Sequence, residues 1–332
     1  MEEITGIQAA APAAQAQQNG GSLTGQTPAE QKAQAKKAYS RIGFALLALA
    51  GVTTIIQILL GAVMMVVPAL QQTSWYLWVM TFAPIYLVAF PITVLILRKM
   101  PAQAPAQHTF GFAGLAGAFS VCMAAMWAGN LIGTGLSMLL SGGQAQNPLG
   151  AYTSQTSIFS VLVMVILAPI VEETIFRKLL IDRIARFGGA LAVLMSGLCF
   201  GMFHMNLYQF FYAFAIGAVL AYVYLRTGKV VYTIGLHMII NLCGSVIAVN
   251  AAAAGGVALG IYVVALLALV ICGVVVLIVK TKRGQITFAP EKQLEHGFCT
   301  AMANPGMILY TVFCVAAVVL VLAAAVLAAA IA

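Results

Sequence analysis

Charge is what this 332-residue sequence has least of. Asp, Glu, Lys and Arg together make up 7% of it, while hydrophobic residues make up 62%. Soluble globular domains carry about 25% charged residues, so that class is excluded. Short alternating apolar and polar segments are also lacking, which removes the transmembrane β-barrel. What is present is a series of apolar runs of about 20 residues or more, each long enough to cross roughly 30 Å of hydrocarbon. In lipid only helices and closed barrels satisfy their backbone groups. The expected fold is therefore all-α, a polytopic transmembrane helical bundle.

Other absences narrow the chemistry. The six cysteines, Cys122, Cys199, Cys243, Cys272, Cys299 and Cys314, form no CxxC pair, so neither a zinc site nor a disulfide framework is suggested. HExxH is missing, and HMIIN (237–241) has Asn where a second His ligand would stand, which speaks against a metalloprotease. Ser196 and Cys199 lie on an apolar run without G-x-S-x-G around them, so a nucleophilic hydrolase is a weak reading. No cofactor or metal is expected.

The apolar runs are read as about nine spans, at roughly 42–68, 75–97, 113–141, 157–177, 190–207, 209–226, 230–249, 256–279 and 307–331. Residues 1–41, rich in Ala, Gln and Gly, read as a disordered cytoplasmic tail and not as a signal peptide, since their early charges are acidic. Three spans fill 42–141, a core occupies 155–250, and two further spans joined by a cytoplasmic loop fill 251–332. All sixteen basic residues fall in the tail, in alternate connections or at the span ends that lead into them. PALQQTS, SGGQAQNPLGAYTSQTS and NAAAAGG, between the other spans, hold none. By the positive-inside rule the N-terminus is cytoplasmic and the chain a multi-pass protein of the cell membrane. The net charge of +8 is then an inner-leaflet property, and no basic patch is left for a nucleic acid. The lipid bilayer is the expected partner.

Against this background VEETIFRKLL (171–180) stands out, because it places two of only eight acidic residues beside an apolar run. Glu172, Glu173, Arg177, His204 and His237 are ionisable groups within spans. Such groups cost about 3 kcal/mol or more at the bilayer centre, so they face a protein interior or a watery cavity. A lone one is commonly a helix–helix hydrogen bond. Five in neighbouring spans point to a site. Glu173 and Arg177 are i and i+4 and can pair. Glu172 is turned about 100° away and left free, and Pro169 interrupts the helix just before them. Phe200 and His204, and likewise His237 and Asn241, are i, i+4 pairs. With a turn at Phe187–Gly189, Glu172 and His204 fall at equal depth, while His237 falls some 10 Å shallower on straight helices. A carboxylate beside an imidazole, shielded from bulk water, can bind and deprotonate water.

EExxxR (Glu172, Glu173, Arg177), FxxxH (Phe200, His204) and HxxxN (His237, Asn241), in this order on separate apolar runs, resemble the CPBP family of intramembrane glutamic endopeptidases. That family includes type II CAAX prenyl proteases and bacterial Abi-type proteins. The resemblance covers about 155–250. It implies hydrolysis of a peptide bond in a membrane-associated peptide or protein without a covalent intermediate. Glu172 and His204 would activate water, and His237 and Asn241 would stabilise the oxyanion. Glu173, Arg177 and Phe200 would support the site. Family members cut prenylated C-terminal motifs or, in bacteria, are linked to bacteriocin processing and self-immunity. A non-catalytic membrane peptide-binding or immunity protein is the alternative. A transporter with a buried polar path is another, though no internal repeat supports it.

Three smaller expectations complete the reading. KLLIDRIARF continues its helix along the inner surface with Asp182 and Arg186 as an i, i+4 pair. Trp75, Tyr76 and Trp78 suit an outer interfacial belt. The connection RGQITFAPEKQLEHGFCTAMANPG is long enough to fold back over the inner face.

Overall fold

The computed structural model describes residues 26–147, 161–288 and 294–331. Among them there is no strand. The long helices are α1 (Pro28–Val66), α2 (Trp75–Leu97), α3 (Phe112–Leu140), the composite α4 (161–187), α5 (Gly189–Phe203), α6 (Leu207–Thr227), α7 (Val230–Ala254) and α8 (Gly256–Lys282). A short α9 (Gly297–Met302) precedes the last long helix, α10 (Pro305–Ile331). The chain is an integral membrane protein.

The described part of each expected span is largely helical, residues 157–160 lying outside the described part, but the helices differ in kind. Among the described residues, seven are long and apolar enough to cross a membrane. The remaining two are α4, which carries Glu172, Glu173, Arg177 and Lys178, and α5, whose 15 residues extend only about 22 Å. These two hold most of the site.

Helix α1 starts at Pro28, well before the apolar run at Ile42, so the expectation of a disordered tail to residue 41 is corrected. Thr27 and Glu30 form a capping box, and Pro28 occupies the first helical turn, where its missing N–H has no cost. The part of that tail before Gln26 lies outside the described residues.

The basic ends are tied together. Arg41 Nε donates to the Ile96 carbonyl at 3.2 Å, and Arg183 Nε to the Leu97 carbonyl at 3.0 Å. Gln103 N reaches the Asp182 carbonyl at 2.6 Å, and His108 N reaches that of Thr227 at 3.0 Å. The connection after α8 does fold back. Thr287 accepts from Arg226 at 2.7 Å, Phe288 packs edge-on against Tyr222, and Leu294 N donates to the Phe187 carbonyl at 3.2 Å.

Two expectations for KLLIDRIARF are overturned. Residues 180–184 are buried in the core rather than laid along the inner surface. Asp182 does not pair with Arg186. It takes Lys178 at 2.7 Å and the Tyr224 hydroxyl at 2.7 Å, while Arg186 stacks on Phe187. The i−4 and i+4 neighbours are equally spaced along a helix, and a phenol from α6 decides between them.

Close helix contacts place the site. On the α5–α6 hairpin, a Cβ on Gly197 would stand 2.9 Å from Ala218 N, and one on Gly217 would stand 2.9 Å from the Phe200 ring. Gly129 and Gly133 of α3 likewise meet the backbone of α6 at Tyr212 and Leu207. Small residues at such crossings let backbones approach and gain dispersion contacts where lipid supplies no hydrophobic drive. From Gly133, level with Leu207, α3 continues to Leu140, about 10 Å further. The α5–α6 turn at His204–Asn206 is thus recessed below the end of α3, and Tyr208 just after it donates to the Ala145 carbonyl.

Candidate active site

Glu172 and Glu173 end the regular α-helical part of α4 (Ala168–Glu173), which lies between two π-helical segments, Val161–Leu167 and Thr174–Leu179. Pro169 stands at the start of the regular part. Without an amide proton it cannot continue the preceding ladder, and the change of helix type falls there.

Glu173 is fully enclosed and ion-paired. Its carboxylate faces the Arg177 guanidinium through Nε at 3.0 Å and Nη2 at 3.1 Å, and His237 Nδ1 lies 2.9 Å from Oε1. Neither Glu173 nor Arg177 has any exposed side-chain surface. Arg177 also donates from Nη1 to Ser196 Oγ at 2.9 Å, and Ser196 passes its own proton to the Phe176 carbonyl at 2.7 Å. Ser196 is therefore an anchor for the cation, with its hydroxyl already committed. The guanidinium lies over the Phe200 ring, 5.0 Å from its centroid.

Phe200 is the hub. His204 and His237 both stand edge-on to its ring, at 4.9 and 5.8 Å and both at 86°. His237 links the two carboxylates: Nδ1 faces Glu173, and Nε2 lies 3.7 Å from Glu172 Oε2. Because a carboxylate only accepts, Nδ1 carries the proton there. The shallow position expected of His237 is thus not adopted. Helix α4 is not straight, with a π segment and a 3₁₀ turn (Ala185–Phe187) between Glu173 and Gly188, and this shifts its residues relative to a uniform helix.

His204 closes α5, at the turn where Met205 takes the left-handed region with φ of 51°. Such a conformation in a non-glycine residue carries local strain and clusters at functional sites. The His204 Nδ1 lies 2.9 Å from the Phe200 carbonyl, so Nδ1 bears hydrogen and Nε2 keeps a lone pair. The imidazole in contact with Glu172 is that of His237, not His204. Asn206 caps α6 through Gln209 N at 2.9 Å and donates to the His204 carbonyl at 2.8 Å, which fixes the turn. Asn241 directs one Nδ2–H to the Met164 carbonyl at 2.8 Å, leaving one N–H and its oxygen.

Glu172 is the accessible member of the pair, with 20% of its side chain exposed against none for Glu173. The structure thus brings Arg177, His204 and His237 against the Phe200 ring, and His237 links Glu172 and Glu173 to it, with Asn241 one turn beyond His237. Among the described residues no group of three His, Cys, Asp or Glu side chains is arranged to hold a metal ion.

Residues 154–243 match the family model described as Rce1-like, type II CAAX prenyl endopeptidase. That segment is similar to the CAAX-protease family. The match takes in all three motifs, and its first residues lie outside the described part of the chain. No curated protein and no solved structure matches the chain. Sequence reasoning missed Ser196 as an anchor, the Met164 carbonyl as the partner of Asn241, and the Asn206 cap. Asn206 alone had a readable signal, an Asn three residues before Gln at a helix start.

Proposed function

We propose that this chain is a glutamate-type intramembrane endopeptidase that hydrolyses a peptide bond of a membrane-associated protein or peptide. The observation that carries the reading is the division between the two carboxylates. Glu173 is enclosed and engaged by Arg177 and His237, while Glu172 is partly exposed beside them. The family match supports the reaction class.

Glu172 takes a proton from water as the oxygen attacks the carbonyl carbon, and the lone pair on His204 Nε2 orients that water. The carbonyl π pair moves onto oxygen, giving a tetrahedral oxyanion. Asn241 donates to it from its remaining N–H, and His237 donates from Nε2 when in the imidazolium form. The C–N bond then breaks, and the proton held by Glu172 passes to the leaving amine. No bond to the protein forms. Prenylated C-terminal peptides are the first substrate class to try, since the matching family is named for them. The gathering of the basic connections at one end supports an inner-leaflet, cytoplasmic placement of that end in the cell membrane.

The test compares cells carrying the native protein with cells carrying Glu172→Gln at equal level, mapping new peptide termini by mass spectrometry. The amide keeps the size of the side chain and removes the base, so termini formed by the native protein should fall at least ~100-fold. Identical terminus profiles from two stable proteins would refute the hydrolase and move the reading to a peptide-binding or immunity protein.

A further inference from the structure

Where the start of α10 packs against α1, a groove of about 500 Å³ opens beside the contact. Gly306 and Gly43 bring the two backbones together there, and Gly306 N donates to Ser40 Oγ at 3.2 Å. Lys36, Lys37, Arg41 and Phe44 of α1 line the groove, with Asn304 and Pro305 on the α10 side.

The positive charge of this groove has no counterpart in the protein. Lys36 and Lys37 are exposed, and the ion pairs among the described residues are those of Arg177, Lys178, His237 and His296. Arg41 uses Nε for the Ile96 carbonyl at 3.2 Å, and among the described residues its two Nη groups make no hydrogen bond. Arg183 is bonded to the next carbonyl, that of Leu97, so a second guanidinium crowds the first. Lys178 and Arg226 are treated differently, one matched by Asp182 and the other by Thr287. The helix end itself offers no free amide. Pro305 has none, Gly306 N goes to Ser40, and Met307 N and Ile308 N go to Asn304. Recognition of an anion here falls to the three cationic side chains.

The level of the groove decides what kind of anion fits. Helix α1 turns apolar at Ile42 and α10 at Met307, so the groove stands where hydrocarbon begins. The polar headgroup layer adds roughly 5–8 Å beyond that boundary. Lys37 and Lys36 lie about 8 and 9 Å before Ile42 along the axis of α1, within reach of that layer on their long stems. On the apolar side Phe44 is 44% exposed, and Ile308 and Leu309 of α10 are 50% and 48% exposed. A soluble anion would use the cations and leave this apolar edge bare. A phospholipid uses both, and basic pockets between membrane helices recognise anionic headgroups.

We propose that the groove between α1 and α10 is a binding site for an anionic phospholipid of the adjacent leaflet. Lys36, Lys37 and Arg41 hold its phosphate, and one acyl chain lies along Phe44. The site goes beyond the hydrolase reading and does not depend on it.

The test uses the full-length protein in a non-ionic detergent, with phosphatidylglycerol and phosphatidylcholine of the same acyl chains as probes. Native mass spectrometry reads the affinity of the first bound lipid. Phosphatidylglycerol should bind at least about 10-fold more tightly than phosphatidylcholine. Each basic side chain at the headgroup layer contributes about fivefold, so Lys36→Gln with Lys37→Gln should weaken phosphatidylglycerol about 30-fold. Lys280→Gln with Lys282→Gln removes the same charge from exposed positions at the end of α8 and should change the affinity less than about twofold. Without lipid both double variants should keep the native thermal midpoint, because the substituted lysines are exposed. If the groove variant loses it, Lys36→Gln alone is read, with a loss of about fivefold expected. Equal affinity for the two lipids, equal losses in the two double variants, or native affinity in the groove variant would overturn the site. Inorganic phosphate at the same concentration should neither displace phosphatidylglycerol nor raise the midpoint. Displacement would make the groove a site for a free anion and overturn the lipid.

Discussion

The α5–α6 hairpin and the C-terminal helix α10 are both strongly apolar, yet the molecule treats them in opposite ways. Of the most apolar stretch of α6, 44% is buried inside the protein, against 6% for α10. Helix α10 is docked only through its first turns, where Gly306 meets α1 at Ser40 and Gly43 and the Tyr310 hydroxyl donates to the Cys199 carbonyl at 2.8 Å. Beyond Cys314 its large side chains are mostly exposed, from Val315 at 54% to Ile331 at 78%. Lipid tails are as good a surrounding for Val and Leu as protein is, so nothing drives those faces inward. Lipid is no substitute for the partners of Glu173 or Arg177. Burial in this chain follows the charges, and apolar character by itself says little about where a helix sits.

The sharpest way to break that comparison is to remove a charge from the enclosed side. Arg177→Met leaves the Glu173 carboxylate buried with His237 as its remaining partner. Removing one member of a buried pair costs about 3–5 kcal/mol. The thermal midpoint in detergent should therefore fall steeply, and hydrolysis should fall with it as His237 loses its fixed neighbour. A variant with native stability would mean that the pair contributes nothing to holding α4 against α5.

Much of this division was legible in spacing, and some of it was not. EExxxR already states that Glu173 and Arg177 share a helix face, and the pair is present as read. The FxxxH motif put Phe200 and His204 on one face, and the ring contact follows from it. The contact of Glu172 with His237 was not foreseen, because residue counts from a turn give depth only if every residue rises by the same amount. Helix α4 breaks that condition with two π segments that no local propensity marks. The recessed turn after His204 was also hidden. The apolar run continues through LYQFFY, and only Asn206 hints that one helix ends and another begins there. The glycine pairs in GNLIG and GLCFG were in plain view and mark close helix approaches on α3 and α5. They say which faces can meet, not which helix each will meet.

A smaller effect is expected where an outer helix meets the bundle. Gly273 of α8 lies against the backbone of Ser120 on α3, so closely that any Cβ would overlap it. Gly273→Ala must push α8 outward. Overpacking of this kind costs about 1–3 kcal/mol, and the thermal midpoint should register it. Turnover should be retained, because no residue of α8 contributes to the site. Loss of turnover at unchanged stability would show that α8 influences the catalytic helices through α3, and the contrast between an inner and an outer set of helices would need redrawing.

The smallest effect belongs to the lipid-facing surface itself. Ile271 is 63% exposed on α8. In a soluble core, truncating a buried isoleucine to alanine leaves a cavity and costs about 2–5 kcal/mol. At Ile271 the space left behind is filled by an acyl chain or detergent tail, so Ile271→Ala should shift stability by no more than about 0.5 kcal/mol. A cavity-sized loss would mean that Ile271 is covered by protein in the membrane. The partner would be a second copy of this chain or another helix seated on α8, and comparing the variant at high and low protein-to-detergent ratio would distinguish a self-association from an intrinsic defect.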